Sequence, residues 1–236
     1  MAATPDSSHA ARGVRIPAAG VTLDGDLTVP EGATGIVVFA HGSGSSRRSP
    51  RNRRVARQLE NAGLATLLFD LLTPPEEAID ATTAQFRFDV PLLAERLTGA
   101  ADWLSREPLL QHLPVGYFGA STGAAAAIVA AAIRPQVVRA VVSRGGRPDL
   151  AGPYLQHVEA PTLLIVGGYD TAVIEMNRAA FAQLRASPKE LLIVPRAGHL
   201  FEEPAALEQV AELAVTWFRS HLGATIKLGE AGHRSD

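Results

Sequence analysis

The chain has 236 residues, 47% of them hydrophobic and 19% charged, which supports one sizeable core and excludes a disordered chain. A formal net charge of −2 lacks the basic excess of a nucleic-acid binder, and the absence of cysteine excludes disulfides, thiolate metal sites and a cysteine nucleophile. No basic-then-apolar leader opens the chain and no stretch approaches the roughly 18 apolar residues of a membrane span, so a cytoplasmic protein with no membrane partner is expected.

Short β-branched runs alternate with helical patterns along the chain. Val21–Val29 is read as a strand pairing with Val14–Ile16, and Asp24-Gly25 is a turn signal within it. Gly35–Ala40 is a continuous apolar run, the pattern of a strand buried on both faces. Pro50–Ala62 is expected as a charged helix and Ala65–Phe69 as the next strand; Asp89–Arg106 is a helix and Pro114–Phe118 a strand. Beyond Ser121–Ile133, a helix of small residues, strands are expected at Val137–Val142, Pro161–Val166 and Glu190–Val194. Helices are expected at Thr171–Arg185 and Pro204–His221. This alternation implies a single α/β domain over residues 13–222: a mostly parallel central sheet, helices on both faces, and flexible termini at 1–12 and 223–236. In such sheets ligands sit outside the carboxyl ends of the strands.

Gly119-Ala120-Ser121-Thr122-Gly123 lies between a strand and a helix, the setting that G-x-S-x-G needs to lift a serine hydroxyl above a sheet. The glycines leave room for the neighbouring strand and helix, and the helix N-terminus favours negative charge beside the serine. A serine hydroxyl needs a base. Of the seven histidines, His199 alone follows a strand's carboxyl end just before the last helix. The acid is expected between them in the chain: Asp170, after Gly167-Gly168-Tyr169, is the first choice and Asp149 the second, with Asp70 read as structural. An aspartate in this position is commonly a helix cap instead. His41-Gly42-Ser43-Gly44 follows the buried strand and can aim a backbone N–H at a developing oxyanion. The candidate donors are the N–H groups of Ser43 and Thr122, with His41 orienting the loop.

Taken together, HGSG, GASTG, GGYD and AGH closely resemble the α/β-hydrolase superfamily, and within it the small dienelactone-hydrolase-like group, from about Val14 to His221. The resemblance implies the α/β-hydrolase fold, with Ser121, Asp170 and His199 as nucleophile, acid and base, and Ser43 and Thr122 as oxyanion donors. Typical dienelactone hydrolases use a cysteine nucleophile, which this chain lacks, so lactone specificity is not carried over. The expected activity is that of a carboxylesterase acting on small or short-chain esters, without metal or cofactor. A thioesterase, amidase or peptidase with the same triad is the alternative, and a non-catalytic binding protein on the same fold is a further one.

Only Ser143–Ala160 separates two of the strands where many relatives of this fold insert a cap, so no large cap domain is expected. The stretch Leu71–Phe88 is read either as a lid or as a surface loop, and its Phe86 and Phe88 are candidate substrate contacts. Six arginines between Arg47 and Arg57 are read as a solvated helix face with surface ion pairs. Arg144, at a strand's carboxyl end, is the candidate for contacting a carboxylate-bearing substrate. A small-molecule ester is the expected partner, and the sequence leaves the oligomeric state open.

Overall fold

The computed structural model describes residues 10–223. The two expected flexible termini fall outside this range except for residues 10–12 and 223, and Arg12 already opens the first strand. Strands β1 (Arg12–Ala18) and β2 (Val21–Thr28) form an antiparallel hairpin with Ala18 opposite Val21. Its turn is Ala19-Gly20, both at positive φ (48° and 73°), rather than Asp24-Gly25. Gly25 lies inside β2, where a Cβ would come within 2.9 Å of Ile16 Cδ1 and 3.2 Å of Phe69 Cβ. That glycine is required by crowding between strands, which a local turn signal does not distinguish from chain reversal.

The remaining strands are β3 (Ile36–Ala40), β4 (Ala65–Phe69), β5 (Val115–Ala120), β6 (Val138–Arg144), β7 (Thr162–Gly167) and β8 (Lys189–Val194). Their spatial order is β1-β2-β4-β3-β5-β6-β7-β8. β2 joins β4 antiparallel, and every pairing from β4 through β8 is parallel. Strands β3, β4, β5 and β7 are buried at every position, which is why they read as continuous apolar runs. Strand β8 closes the edge and is only partly covered.

Helices α1 (Pro50–Asn61) and α6 (Ala206–Leu222) cover one face, burying Val55, Leu59, Val210 and Phe218 against Val37, Phe39 and Phe118. Helices α3 (Val90–Leu104) and α4 (Thr122–Ile133) cover the other, with Leu93, Leu97, Ile128 and Val129 over Val38, Leu67 and Tyr117. This is the α/β-hydrolase arrangement. Helix α5 (Thr171–Gln183) packs beside β7, with Val173 and Ile174 against Val166. The 143–160 connection holds only a 3-10 segment, Pro148–His157, kinked at Gly152. Within Leu71–Phe88 lies α2 (Pro74–Thr83), started by a capping box between Thr73 and Glu76. No helix among the described residues is long and apolar enough to cross a membrane.

Candidate active site

Ser121 follows β5 and precedes α4 with φ 50° and ψ −123°, a conformation L-residues rarely adopt and one that costs about 1–3 kcal/mol. The surroundings force it. A Cβ on Gly119 would lie 2.4 Å from Ala124 Cα, and one on Gly123 would lie 2.3 Å from the Ala40 carbonyl oxygen and 2.5 Å from that of His41. Strand, turn and helix therefore meet at backbone contact, and the chain has no room to relax. The turn is tied on both sides: the Ser121 N–H donates to the Arg144 carbonyl (3.3 Å), and its carbonyl accepts from the Ala124 and Arg147 N–H groups (both 3.1 Å). The hydroxyl makes no capping bond to the helix it precedes.

Asp170 and His199 meet on the edge side of the site. Asp170 occupies the N-cap position of α5, yet its carboxylate makes no cap bond. Oδ2 instead lies 2.6 Å from His199 Nδ1. The two loops are joined by backbone bonds from the Gly168 N–H to the Val194 carbonyl (2.8 Å) and from the Tyr169 N–H to the Ala197 carbonyl (2.9 Å). A Cβ on Gly167 would sit 2.4 Å from the Ala197 carbonyl oxygen, so a side chain there would push the loops apart. The bond at Nδ1 leaves Nε2 as the nitrogen available to a substrate or nucleophile. His199 and Ser121 line one cavity of about 220 Å³ with no direct hydrogen bond between them, a spacing common in sites without substrate.

The His41–Gly44 loop forms the opposite wall. His41 is buried; its Nε2 accepts the Leu71 N–H (3.0 Å), and its Nδ1, 3.0 Å from the Gly42 carbonyl, must then carry the proton and donate it. Burial pushes this imidazole below its ordinary range, against the opposing pull of the Gly42 carbonyl and Asp70, and so favours the neutral ring that these two bonds need. Ser43 Oγ is 2.8 Å from Thr122 Oγ1 and donates to the Arg87 carbonyl (3.3 Å). The two candidate oxyanion residues are thus in direct side-chain contact. As the first residue of α4, Thr122 has no intrahelical carbonyl for its N–H.

The other candidates separate cleanly. Asp149 is held by Arg147, whose Nε donates to Oδ1 (2.9 Å) and Nη2 to Oδ2 (2.8 Å). Asp70 accepts from the backbone N–H and the guanidinium of Arg47. Most of the arginine run is engaged on the surface: Arg51 with Glu202, Arg53 with Asp26, Arg54 with Glu208. Phe86 packs partly buried against the core and Phe88 is 59% exposed; neither lines the two cavities beside the His41–Gly44 loop. The larger of these, about 520 Å³, lies beside α2 and is lined by Leu71, Leu72, Leu93, Glu77, Arg48 and Arg87 among others. Arg144 lines the smaller cavity with Ser121 and His199.

Two polar residues escaped the sequence reading. Glu203 Oε1 accepts the Gly198 N–H (2.9 Å) and so braces the His199 loop. Asn52, 2% exposed, presents Oδ1 to Arg144 Nη2 at 3.3 Å. Asn52 sits among arginines on α1, where nothing local distinguishes it from a solvated position.

The family model and the solved structures agree with one another, while a curated relative carries a different name. The chain matches the Dienelactone hydrolase family over residues 23–222. A crystal structure of a dienelactone hydrolase from Anabaena variabilis superposes with a TM-score of 0.89 at 63% identity, covering 91% of this chain and 99% of that one. An esterase from Pyrococcus furiosus shares the fold at 18% identity, TM-score 0.74, covering 92% and 93% of the two chains. A protein of Mycobacterium tuberculosis named a putative phosphoribosyl transferase is 60% identical over 209 residues, which is 89% of this chain and 46% of that protein. The chain thus spans less than half the length of that relative.

Proposed function

The chain belongs to the dienelactone hydrolase family, and on that premise we propose that it is a serine carboxylesterase using Ser121, His199 and Asp170. The observation that carries this reading is the 2.6 Å contact between His199 Nδ1 and Asp170 Oδ2, made by an aspartate that forgoes its helix cap. A hydrolase activity follows from the family, and the ester preference and the residue roles are proposed on the geometry of the site.

With Nδ1–H held by Asp170, the imidazole is fixed in the tautomer whose Nε2 accepts a proton. Ser121 attacks the ester carbonyl as that nitrogen takes its proton. The Asp170 carboxylate stabilises the imidazolium and stays ionised. The tetrahedral oxyanion is met by the Ser43 and Thr122 N–H groups, on residues whose side chains brace each other. His199 then returns the proton to the leaving alcohol, and water repeats the sequence on the acyl-enzyme. The small cavity at Ser121 and the short connection between β6 and β7, which holds no large cap, favour a short acyl group. The phosphoribosyl transferase name describes a protein of which this chain matches less than half, and it is not carried over.

Labelling with a fluorophosphonate probe tests the reading. Wild type is expected to label and Ser121→Ala not to; equal labelling of both overturns it. A matched panel of p-nitrophenyl esters, thioesters and anilides then ranks esterase against thioesterase and amidase, and the highest kcat/KM is expected on the ester.

A further inference from the structure

His199 is mounted on a loop that borders two cavities. His199 and Leu200 line the one that holds Ser121, whereas Pro195, Arg196 and Glu203 of the same loop line a second one of about 680 Å³ with Tyr169 and Val194. The backbone of the loop is strained: Arg196, Phe201 and Ala205 all take positive φ (59°, 55° and 62°). Such a segment keeps its shape only where its surroundings over-determine it.

On the inward side, toward β6, the limit is contact. Gly145, at φ 51° just after β6, backs onto the proposed base: a Cβ there would lie 3.0 Å from the His199 carbonyl oxygen and 3.6 Å from Nδ1. Phe201, 1% exposed, anchors the turn that follows, and its N–H donates to the Gly198 carbonyl (3.3 Å). On the other side the restraint is Glu203. Its Oε1 accepts the Gly198 N–H at 2.9 Å, and a Cβ on Gly198 would lie 3.0 Å from that same oxygen. The Glu203 carbonyl accepts the Ala206 N–H (3.0 Å), so the side chain ties the loop to the start of α6.

A carboxylate in this position is costly. Oε2 is sealed from solvent with no hydrogen-bond partner among the described residues, and an apolar side chain of the same size would fill the space without that penalty. The bond that Glu203 does make goes to the residue before His199. Asp170 fixes the tautomer and the plane of the ring through Nδ1, and leaves the backbone that carries the ring to other restraints.

We propose that Glu203 is a positioning residue for the base: by holding the Gly198 N–H it keeps the His199 backbone against Gly145, and so keeps Nε2 within proton-transfer reach of Ser121. The inference rests on the reading of His199 as the base. A displacement of about 1 Å in such a group can cost about 100-fold in rate.

The test measures kcat and KM on p-nitrophenyl acetate. Glu203→Leu keeps the bulk and removes the accepting oxygen; kcat is expected to fall at least about tenfold with KM changed less than about twofold. Glu203→Gln keeps an accepting oxygen at about half the bond strength, and its kcat is expected within about threefold of wild type. Thermal melts establish that each variant is folded at the assay temperature, and Glu203→Met replaces Glu203→Leu should the latter not fold. If Glu203 acts through His199, Glu203→Leu/His199→Ala is no slower than His199→Ala alone. Wild-type kcat in Glu203→Leu, an equal loss in Glu203→Gln, or losses that multiply in the double variant each overturn the proposal. His199→Ala with wild-type turnover would sink the base assignment and this inference with it. Loss of turnover in His199→Ala beside an unaffected Glu203→Leu sinks the inference alone.

Discussion

Ser121 sits at the middle of the sheet and His199 near its edge, and the two are held in different surroundings. Around Ser121 the constraint is contact: Gly119 and Gly123 let backbone touch backbone, with Ala40, His41 and Ala124 closer than any Cβ would allow. Around His199 one such contact, Gly167 on Ala197, is joined by hydrogen bonding at the sheet's edge, from the loop-to-loop bonds of Gly168 and Tyr169 to the Glu203 brace on Gly198. Strand β5 is buried at every position, whereas β8 is largely not. The contrast suits the proposed chemistry. A nucleophile must be fixed at one point above the sheet, while a base that alternates between two proton partners tolerates a softer mount.

The largest expected effect is at the edge. Asp170→Asn preserves the shape of the site but presents an amide that cannot stabilise an imidazolium, and kcat is expected to fall by about 10⁴-fold with little change in Tm. Ester hydrolysis and a thermal melt measure the two. The centre should answer differently. Gly123→Ala drives a methyl into two carbonyl oxygens that cannot retreat, and a loss of about 3 kcal/mol or more is expected in urea unfolding. Gly167→Ala tests the softness of the edge directly. Its methyl would meet the Ala197 and Gly198 carbonyls, at 2.4 and 2.5 Å, but those belong to a loop beside the partly covered edge strand rather than to the buried centre. A smaller stability loss, about 1–2 kcal/mol, with kcat down at least about tenfold is expected. If Gly167→Ala costs as much stability as Gly123→Ala, the distinction between centre and edge fails.

The same contrast governs what was legible in the sequence. The elbow is a local pattern, and five consecutive residues fix its geometry because every crowding atom is within the turn or on the next strand. The acid was a choice among aspartates that each follow a strand. Their fates were decided by residues distant in the chain or in the turn: Arg47 takes Asp70, and Arg147 takes Asp149. Helix α2 carried a cap signal at Thr73 and Glu76 but no apolar stripe, since Asp80 is its buried residue, so periodicity could not show it. The pairing of Asn52 with Arg144 spans 92 positions, and the glycine inside β2 imitates a turn that forms five residues earlier. Local chemistry is readable where local geometry is sufficient, and side-chain partners across the sheet are not.

The next prediction is smaller and bears on the His41–Gly44 loop. His41 is bound through both ring nitrogens only while neutral, and burial holds its folded pKa below the unfolded value of about 6.5. The unfolded chain then binds a proton that the folded one does not, so this contribution to stability is complete above that value and is lost as pH falls below it. The Tm gap between wild type and His41→Gln should therefore narrow between pH 7.5 and pH 5.5; a gap independent of pH would show that the ring does not titrate on unfolding.

The smallest effect is expected from the exposed arginines. Arg54 pairs with Glu208 between α1 and α6, both side chains well exposed. Water screens that attraction, and ordering two long side chains offsets part of it, so Arg54→Ala should change stability by no more than about 1 kcal/mol. High salt should shrink the difference further. A double-mutant cycle with Glu208→Ala measures the coupling itself, and a value well above that limit would mean that α1 and α6 are joined by charge as well as by Val55, Leu59 and Val210. A value near zero would mean that this pair adds nothing to the packing of Val55, Leu59 and Val210. The exposed arginines of α1 would then serve solubility more than stability.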